Sequence, residues 1–122
     1  MANILRVSEI TVFEFSECTS FPIEVDFTNE AKQLVGAVKT ADPPLVVLDL
    51  TNVKYINSFF IRLLIRTWKL IKKRDGQFVI AGMSPESLEM LQQMKIDSLW
   101  KQYPTRDLAI QDLIRDTPAH FS

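Results

Sequence analysis

The middle of the chain has the pattern of a strand, a helix and a second strand, and this order limits the folds that the chain can adopt. Leu45 to Leu50 (LVVLDL) form a short apolar run between turn signals, which is typical of a strand covered on both faces. A helical pattern follows from Ser58 to about Arg74, where the dipeptide Asp75-Gly76 ends it, and QFVIAG supplies the next strand. This spacing predicts a parallel βαβ unit.

The segments on either side extend this pattern. Ile4 to Phe15 is rich in β-branched and aromatic residues, which predicts one or two strands with a hairpin turn near Ser8-Glu9. A final short strand is predicted within IDSLWKQY. Three further helices are predicted. The first runs from the cap Thr28 to about Thr40, and the last runs from the cap Thr105 to about Arg115. Between them, a helix begins after the N-cap Ser84, with Pro85 at its first position.

The predicted fold class is therefore α/β. We expect residues 1–122 to form a single domain, with a mixed sheet of four or five strands flanked by about four helices and a loose tail at residues 116–122. A chain of 122 residues, 47% of them hydrophobic, can bury a core without metals or disulfides. The residues expected on the buried faces of the last two helices are Leu88, Leu91, Met94, Leu108, Ile110 and Leu113.

Composition excludes several classes of partner and location. The net charge of -1 lacks the basic excess of most nucleic-acid-binding proteins, so we expect no nucleic-acid partner. Cys18 is the only cysteine, which rules out an intramolecular disulfide. The apolar runs are too short to cross a bilayer, so we expect no membrane insertion and a cytoplasmic location.

The residue types that carry most enzyme chemistry are sparse. The three glycines lack the spacing of a phosphate-binding loop, and His120 is the only histidine. Asp49 ends the buried strand, and we expect it to cap the turn of Thr51 to Val53 rather than to bind a metal or act as a general base. We therefore expect no catalytic residue, no metal site, no cofactor and no enzymatic activity.

The helix that follows Ser58 is amphipathic. Helical rotation places Phe60, Leu63, Leu64, Thr67 and Ile71 on one face and Arg62, Arg66, Lys69 and Lys73 on the opposite face. Phe59 lies at the border, where it is either an exposed contact anchor or a residue covered by a neighbouring loop. Ser58 as N-cap would contribute about 1 kcal/mol. Alternatively it is a phosphorylation site, because a helix N-terminus favours negative charge.

Four pieces in order resemble a known family. Asp49-Leu50-Thr51, Asn57-Ser58-Phe59-Phe60, FVIAG and Ile96 to Trp100 are similar to the pattern of the STAS domain in bacterial anti-sigma factor antagonists. The resemblance covers roughly Leu45 to Leu113, and the serine motif is also similar to the serine-bearing STAS scaffold of the stressosome. The family fold is a mixed sheet flanked by helices, which agrees with the α/β pattern derived from the residues.

The resemblance implies a partner-switching protein. Ser58 falls on the serine that an anti-sigma factor serine kinase phosphorylates and a serine phosphatase resets, and the dephosphorylated form binds the kinase. The resemblance also implies a partner-binding surface of Asn57, Ser58, Phe59, Arg62 and Asp26.

Three residues of the motif depart from the family pattern and leave alternatives open. Asn57 stands in place of Asp, and Phe59 and Phe60 replace a serine and a glycine. The chain could instead be a non-phosphorylated STAS module that forms a homodimer or a scaffold assembly, as a stressosome-like subunit or a transporter accessory domain. A third alternative is a module that binds a nucleotide or another small molecule.

Overall fold

The computed structural model describes residues 3–15, 24–53, 56 and 58–116, and for residues 24–30 and 116 it describes only the backbone. Within this part of the chain five strands and four helices form one α/β domain, as predicted. The elements are β1 (Asn3–Val7), β2 (Ile10–Glu14), α1 (Glu24–Thr40), β3 (Leu45–Asp49), α2 (Ser58–Lys73), β4 (Gln77–Ala81), α3 (Pro85–Gln93), β5 (Gln102–Tyr103) and α4 (Arg106–Asp116), with a 3-10 turn at Asp97–Leu99. Cys18, His120 and residues 117–122 of the predicted tail lie outside the described residues, and Asp116, predicted in the tail, ends α4 instead.

The five strands form one mixed sheet in the order β1-β2-β3-β4-β5. β1 and β2 are the antiparallel pair of a hairpin whose turn is at Ser8-Glu9. β2, β3, β4 and β5 are parallel neighbours, and Val47 at the centre of β3 lies between Val12 and Val79. The predicted βαβ unit is therefore β3-α2-β4, and the mixed sheet is confirmed.

The sheet carries a core on each face, because successive side chains of a strand point to opposite sides. Helices α1, α2 and α3 cover one face, and the core there includes Phe13, Leu48, Ile80, Leu34, Leu64 and Leu91. Helix α4 covers the other face, with Val12, Val47, Val79, Ala109 and Leu113. β3 contributes to both cores and is buried at every position, which explains its continuous apolar sequence.

The dipeptide Asp75-Gly76 ends α2 as predicted, and its two residues have different roles. The N–H of Asp75 donates to the carbonyl of Lys72 at 3.1 Å, and the N–H of Gly76 donates to that of Ile71 at 3.0 Å, a Schellman arrangement. Asp75, with φ of 56°, takes the left-handed conformation. Gly76 is needed for close approach, since a Cβ there would lie 2.1 Å from the carbonyl oxygen of Pro44.

The structure corrects three predictions about the helices. α1 begins at Glu24, one turn before the predicted Thr28, and its first turn carries the acidic residues that favour a helix N-terminus. Met94 is 50% exposed because it caps the end of α3, beyond the helical face that packs on the sheet. Leu108 is 46% exposed because α4 turns Ala109 and Leu113 toward the core instead.

Two glycines provide a matched test of the backbone. Gly82 has φ of 71°, and a Cβ there would lie 2.3 Å from Oγ1 of Thr51, so we expect Gly82→Ala to lower the free energy of unfolding by about 1 to 3 kcal/mol. Gly36 lies in α1, and no atom lies within 4 Å of the place where a Cβ would stand. Gly36→Ala should therefore raise the free energy of unfolding by about 0.5 to 1 kcal/mol. Urea denaturation of both variants measures the difference, and equal effects would contradict the close approach at Gly82.

Candidate functional site at the start of α2

The loop from β3 into α2 is fixed at the end of the central strand. Oδ1 of Asp49 accepts hydrogen bonds from the backbone N–H of Thr51 at 2.9 Å and from its hydroxyl at 2.5 Å. The N–H of Leu50 donates to the carbonyl of Ala81 at 2.8 Å, and that of Val53 donates to the carbonyl of Leu50 at 2.9 Å. The prediction that Asp49 caps this turn is confirmed, and the turn fixes the chain where it leaves the sheet.

Sequence reasoning missed a charged cluster beneath this loop. Nη1 of Arg106, the first residue of α4, lies 3.2 Å from Oε2 of Glu14 and 3.5 Å from Oδ2 of Asp49. The two carboxylates meet because Glu14 and Asp49 are register partners at the ends of parallel strands. Only the strand register, which pairs residues far apart in sequence, could have revealed this contact. The Asp49 carboxylate is thus held by Thr51 and Arg106, in a structural role.

Ser58 is the first helical residue of α2, and it is exposed. This corrects the prediction that Ser58 is the N-cap. An N-cap has non-helical backbone, whereas Ser58 is already part of the helix. The first turn of α2 contains no acidic residue. An anion at this end of the helix would therefore meet no competing carboxylate from the same turn.

Two adjacent phenylalanines point in opposite directions. Phe60 is fully buried, and its ring centroid lies 5.2 Å from that of Phe15. Phe59 is 48% exposed, and the guanidinium carbon of Arg62 lies 5.9 Å from its ring centroid, within cation–π range. Of the two alternatives for Phe59, the structure supports the exposed one.

The structure brings together three of the five predicted partner-binding residues. Ser58, Phe59 and Arg62 lie on the exposed surface of the first two turns of α2. Asp26 lies near the start of α1, where the backbone is described and the side chain is not, and Asn57 is outside the described residues. The patch that can be described is therefore a hydroxyl, an exposed aromatic ring and a cation.

A groove of about 570 Å³ begins at this patch and runs between α1 and α2. Sequence reasoning missed it, because the groove depends on how two helices separated by a strand pack side by side. The residues that line it are Ala31, Lys32, Val35, Phe59, Arg62, Leu63 and Arg66.

The described residues contain neither a membrane-spanning helix nor a metal-binding cluster. No helix there is long and apolar enough to cross a membrane. No group of three or more His, Cys, Asp or Glu side chains in that part of the chain is placed to hold a metal ion.

Comparisons with known proteins agree with this architecture. The family model described as the STAS domain matches residues 3–109. An anti-sigma-factor antagonist (STAS) domain protein from Planctomyces limnophilus is 31% identical, with a TM-score of 0.82 over 91% of this chain and 96% of that one. An anti-sigma factor antagonist from Mycobacterium paratuberculosis is 22% identical, with a TM-score of 0.73 over 92% of each chain.

A more distant structure has the same fold. The phosphorylated form of the Bacillus cell fate determinant SpoIIAA is 14% identical, with a TM-score of 0.65 over 93% of this chain and 99% of that one. The comparison with curated proteins found no match.

The phenylalanine pair provides a test of the site. Phe60→Ala should lower the free energy of unfolding by about 3 to 5 kcal/mol, because it empties a fully buried position. Phe59→Ala should change it by less than about 0.5 kcal/mol, because half of the ring faces solvent. Chemical denaturation of the two variants measures both values, and a large loss in Phe59→Ala would show that Phe59 serves the fold rather than a surface.

Proposed function

Because the chain belongs to the STAS domain family, we propose that it is a partner-switching protein of the anti-sigma factor antagonist type. In this proposal its unmodified form binds an anti-sigma factor serine kinase, the kinase phosphorylates Ser58, and a serine phosphatase restores binding. The protein acts in the cytoplasm by binding alone, without a catalytic residue or cofactor of its own. The observation that carries the proposal is Ser58, exposed as the first residue of α2 beside an exposed phenylalanine.

The electrostatics of α2 favour a phosphate at Ser58. The first turns of α3 and α4 contain Glu86 and Asp107, whereas the first turn of α2 contains no acid. The positive end of the helix dipole stabilises an added anion at such a position. Arg62 follows four residues later, at the spacing that brings side chains together on a helix. A phosphoserine is thus accommodated without disturbing the buried face.

The same phosphate would interrupt docking. It adds a charge of about -1.5 to -2 and considerable bulk next to Phe59 and Arg62. A partner that covers this patch would have to bury the added charge, which is costly unless it is paired. Because Ser58 faces solvent and Phe60 holds the helix in the core, the effect is confined to the surface. The SpoIIAA structure gives a precedent for a phosphorylated protein of this fold.

Substitutions at Ser58 test the switch. Ser58→Asp places a negative charge at the centre of the patch, so we expect it to weaken binding of the cognate serine kinase about tenfold or more. Ser58→Ala removes the acceptor hydroxyl and adds no charge, so its affinity should stay within about twofold of the unmodified protein. Titration calorimetry with the purified kinase measures both affinities.

A second exposed serine supplies the control. Ser98, in the 3-10 turn, is exposed and lies on a different element, so Ser98→Asp should leave kinase affinity unchanged. Incubation with the kinase and ATP, followed by phosphosite mass spectrometry, should place the phosphate on Ser58. Equal affinities of Ser58→Asp and Ser58→Ala would refute the proposal.

A second candidate function is a non-phosphorylated interaction or scaffold module. Phe59 favours it, since a half-exposed aromatic ring is a typical anchor of a stable interface. The same fold occurs, at 22% identity and a TM-score of 0.65, in a protein of the stressosome, which is described as a signal integration and transduction hub.

The second function makes a different prediction about assembly. The purified, unmodified protein would form a stable oligomer, and Phe59→Ala would dissociate it because the anchor is lost, whereas Ser58→Asp would not prevent assembly. Light scattering coupled to size-exclusion chromatography measures the mass. A monomer at high micromolar concentration, or high Ser58 phosphate occupancy in cells, would count against this alternative.

A further inference from the structure

Helix α2 concentrates positive charge. It carries five basic residues and no acidic residue, although the whole chain has 14 basic and 15 acidic residues. Among the residues whose side chains are described, no carboxylate forms an ion pair with these side chains. Self-repulsion of unpaired cations on one helix is unfavourable. The arrangement is therefore suited to an external negative partner.

The cations border an apolar floor. In the groove between α1 and α2 the floor is formed by Ala31, Val35 and Leu63, while Lys32 rises from α1 and Arg62 from α2. The floor residues are buried or half-buried in the free protein. A ligand would therefore find a shallow apolar strip with positive charge on both sides.

A second depression continues the groove along α2. Its volume is about 400 Å³, and it shares two arginines with the first. We call the two together the basic groove. Its residues are Ala31, Lys32, Val35, Phe59, Arg62, Leu63, Ile65, Arg66, Lys69, Leu70 and Lys73.

We propose that the basic groove docks an acidic amphipathic helix of the partner protein. Arg62, Arg66, Lys69 and Lys73 recur at intervals of four, three and four residues, so they form one stripe over about three helical turns, or roughly 16 Å. A helix laid along this stripe presents carboxylates at the same spacing and an apolar edge to the floor. The inference rests on the proposed function in that the partner is the protein that also covers Phe59.

The shape and charge of the groove favour this occupant over other anions. Nucleic-acid phosphates would satisfy the cations but leave the apolar floor in contact with water. A membrane surface is flat and would meet α2 without entering the groove. The chain outside α2 carries an excess of acidic residues, which repels extended polyanions. The attraction for a negatively charged ligand is therefore confined to the surface of α2. A helix with both an acidic and an apolar face satisfies both parts of the surface.

A designed peptide provides the probe. It is a helix of about 16 residues with leucine along one edge and glutamate beside it at alternating three- and four-residue intervals. A second peptide has lysine in place of each glutamate. Titration into isotopically labelled full-length protein should shift NMR signals of Ala31, Val35 and Leu63 with the glutamate peptide only. Raising the salt from about 0.05 M to about 0.3 M should weaken binding several-fold.

Matched variants locate the contact. Arg62→Gln/Arg66→Gln removes two groove cations and should lower affinity for the glutamate peptide about tenfold, as expected for two ion pairs. Lys39→Gln/Arg115→Gln removes the same charge from exposed positions at the ends of α1 and α4 and should change affinity by less than about twofold. Circular dichroism verifies that both variants are folded.

Three outcomes would overturn the inference: no saturable binding at millimolar peptide, equal binding of the lysine peptide, or equal losses in the two double variants. Tighter binding of phosphatidylserine vesicles or of a duplex oligonucleotide, lost in Arg62→Gln/Arg66→Gln, would assign the groove to a different occupant and also overturn it. The Ser58 test is independent of the peptide. Failure of the switch would leave peptide binding intact, and failure of the groove would leave the Ser58 variants different in kinase affinity.

Discussion

The structure depends on the burial of β3 from both sides. Its four apolar residues face the two cores alternately, so the strand cannot shift register without moving apolar side chains to the wrong face. Its last residue is a buried carboxylate, which is tolerated only with hydrogen-bonding or charged partners. Thr51 and Arg106 are those partners, and the bonds that they form set the direction of the chain beyond the sheet. These contacts fix the chain at the beginning of the segment that leads to Ser58.

Much of the fold could be predicted from the sequence because its signals are local. The order of elements and the α/β class followed from four local signals. These are the alternation of apolar residues in the strands, the three- and four-residue periodicity of α2, the helix start at Ser84-Pro85 and the helix end at Asp75-Gly76. The early start of α1 was missed because Thr28 is an attractive cap that the helix includes rather than begins with. The family pattern located Ser58 but not its helical position, which differs by one residue from the predicted cap.

The rest of the candidate site could not be predicted because it is formed between elements. Arg106 meets Glu14 only because α4 closes over the ends of two parallel strands. The basic groove requires α1 and α2 to lie side by side, although the basic half of its wall was visible in the sequence as Arg62, Arg66 and the lysines after them. Phe59 shows the same limit. Helical rotation predicted its place at the border of the charged face, but its exposure depends on how the surrounding elements pack and could not be predicted.

The uneven coverage of the sheet has a consequence for biosynthesis. In the described part of the chain, one face of the sheet is covered by three helices that alternate with the strands in sequence. The other face is covered only by α4. The ribosome releases α4 after every strand that it covers. During that interval Val12, Val47 and Val79 form an open β-branched surface, of the kind that promotes aggregation of folding intermediates. We therefore expect the nascent protein to be most prone to aggregation in the interval before α4 docks.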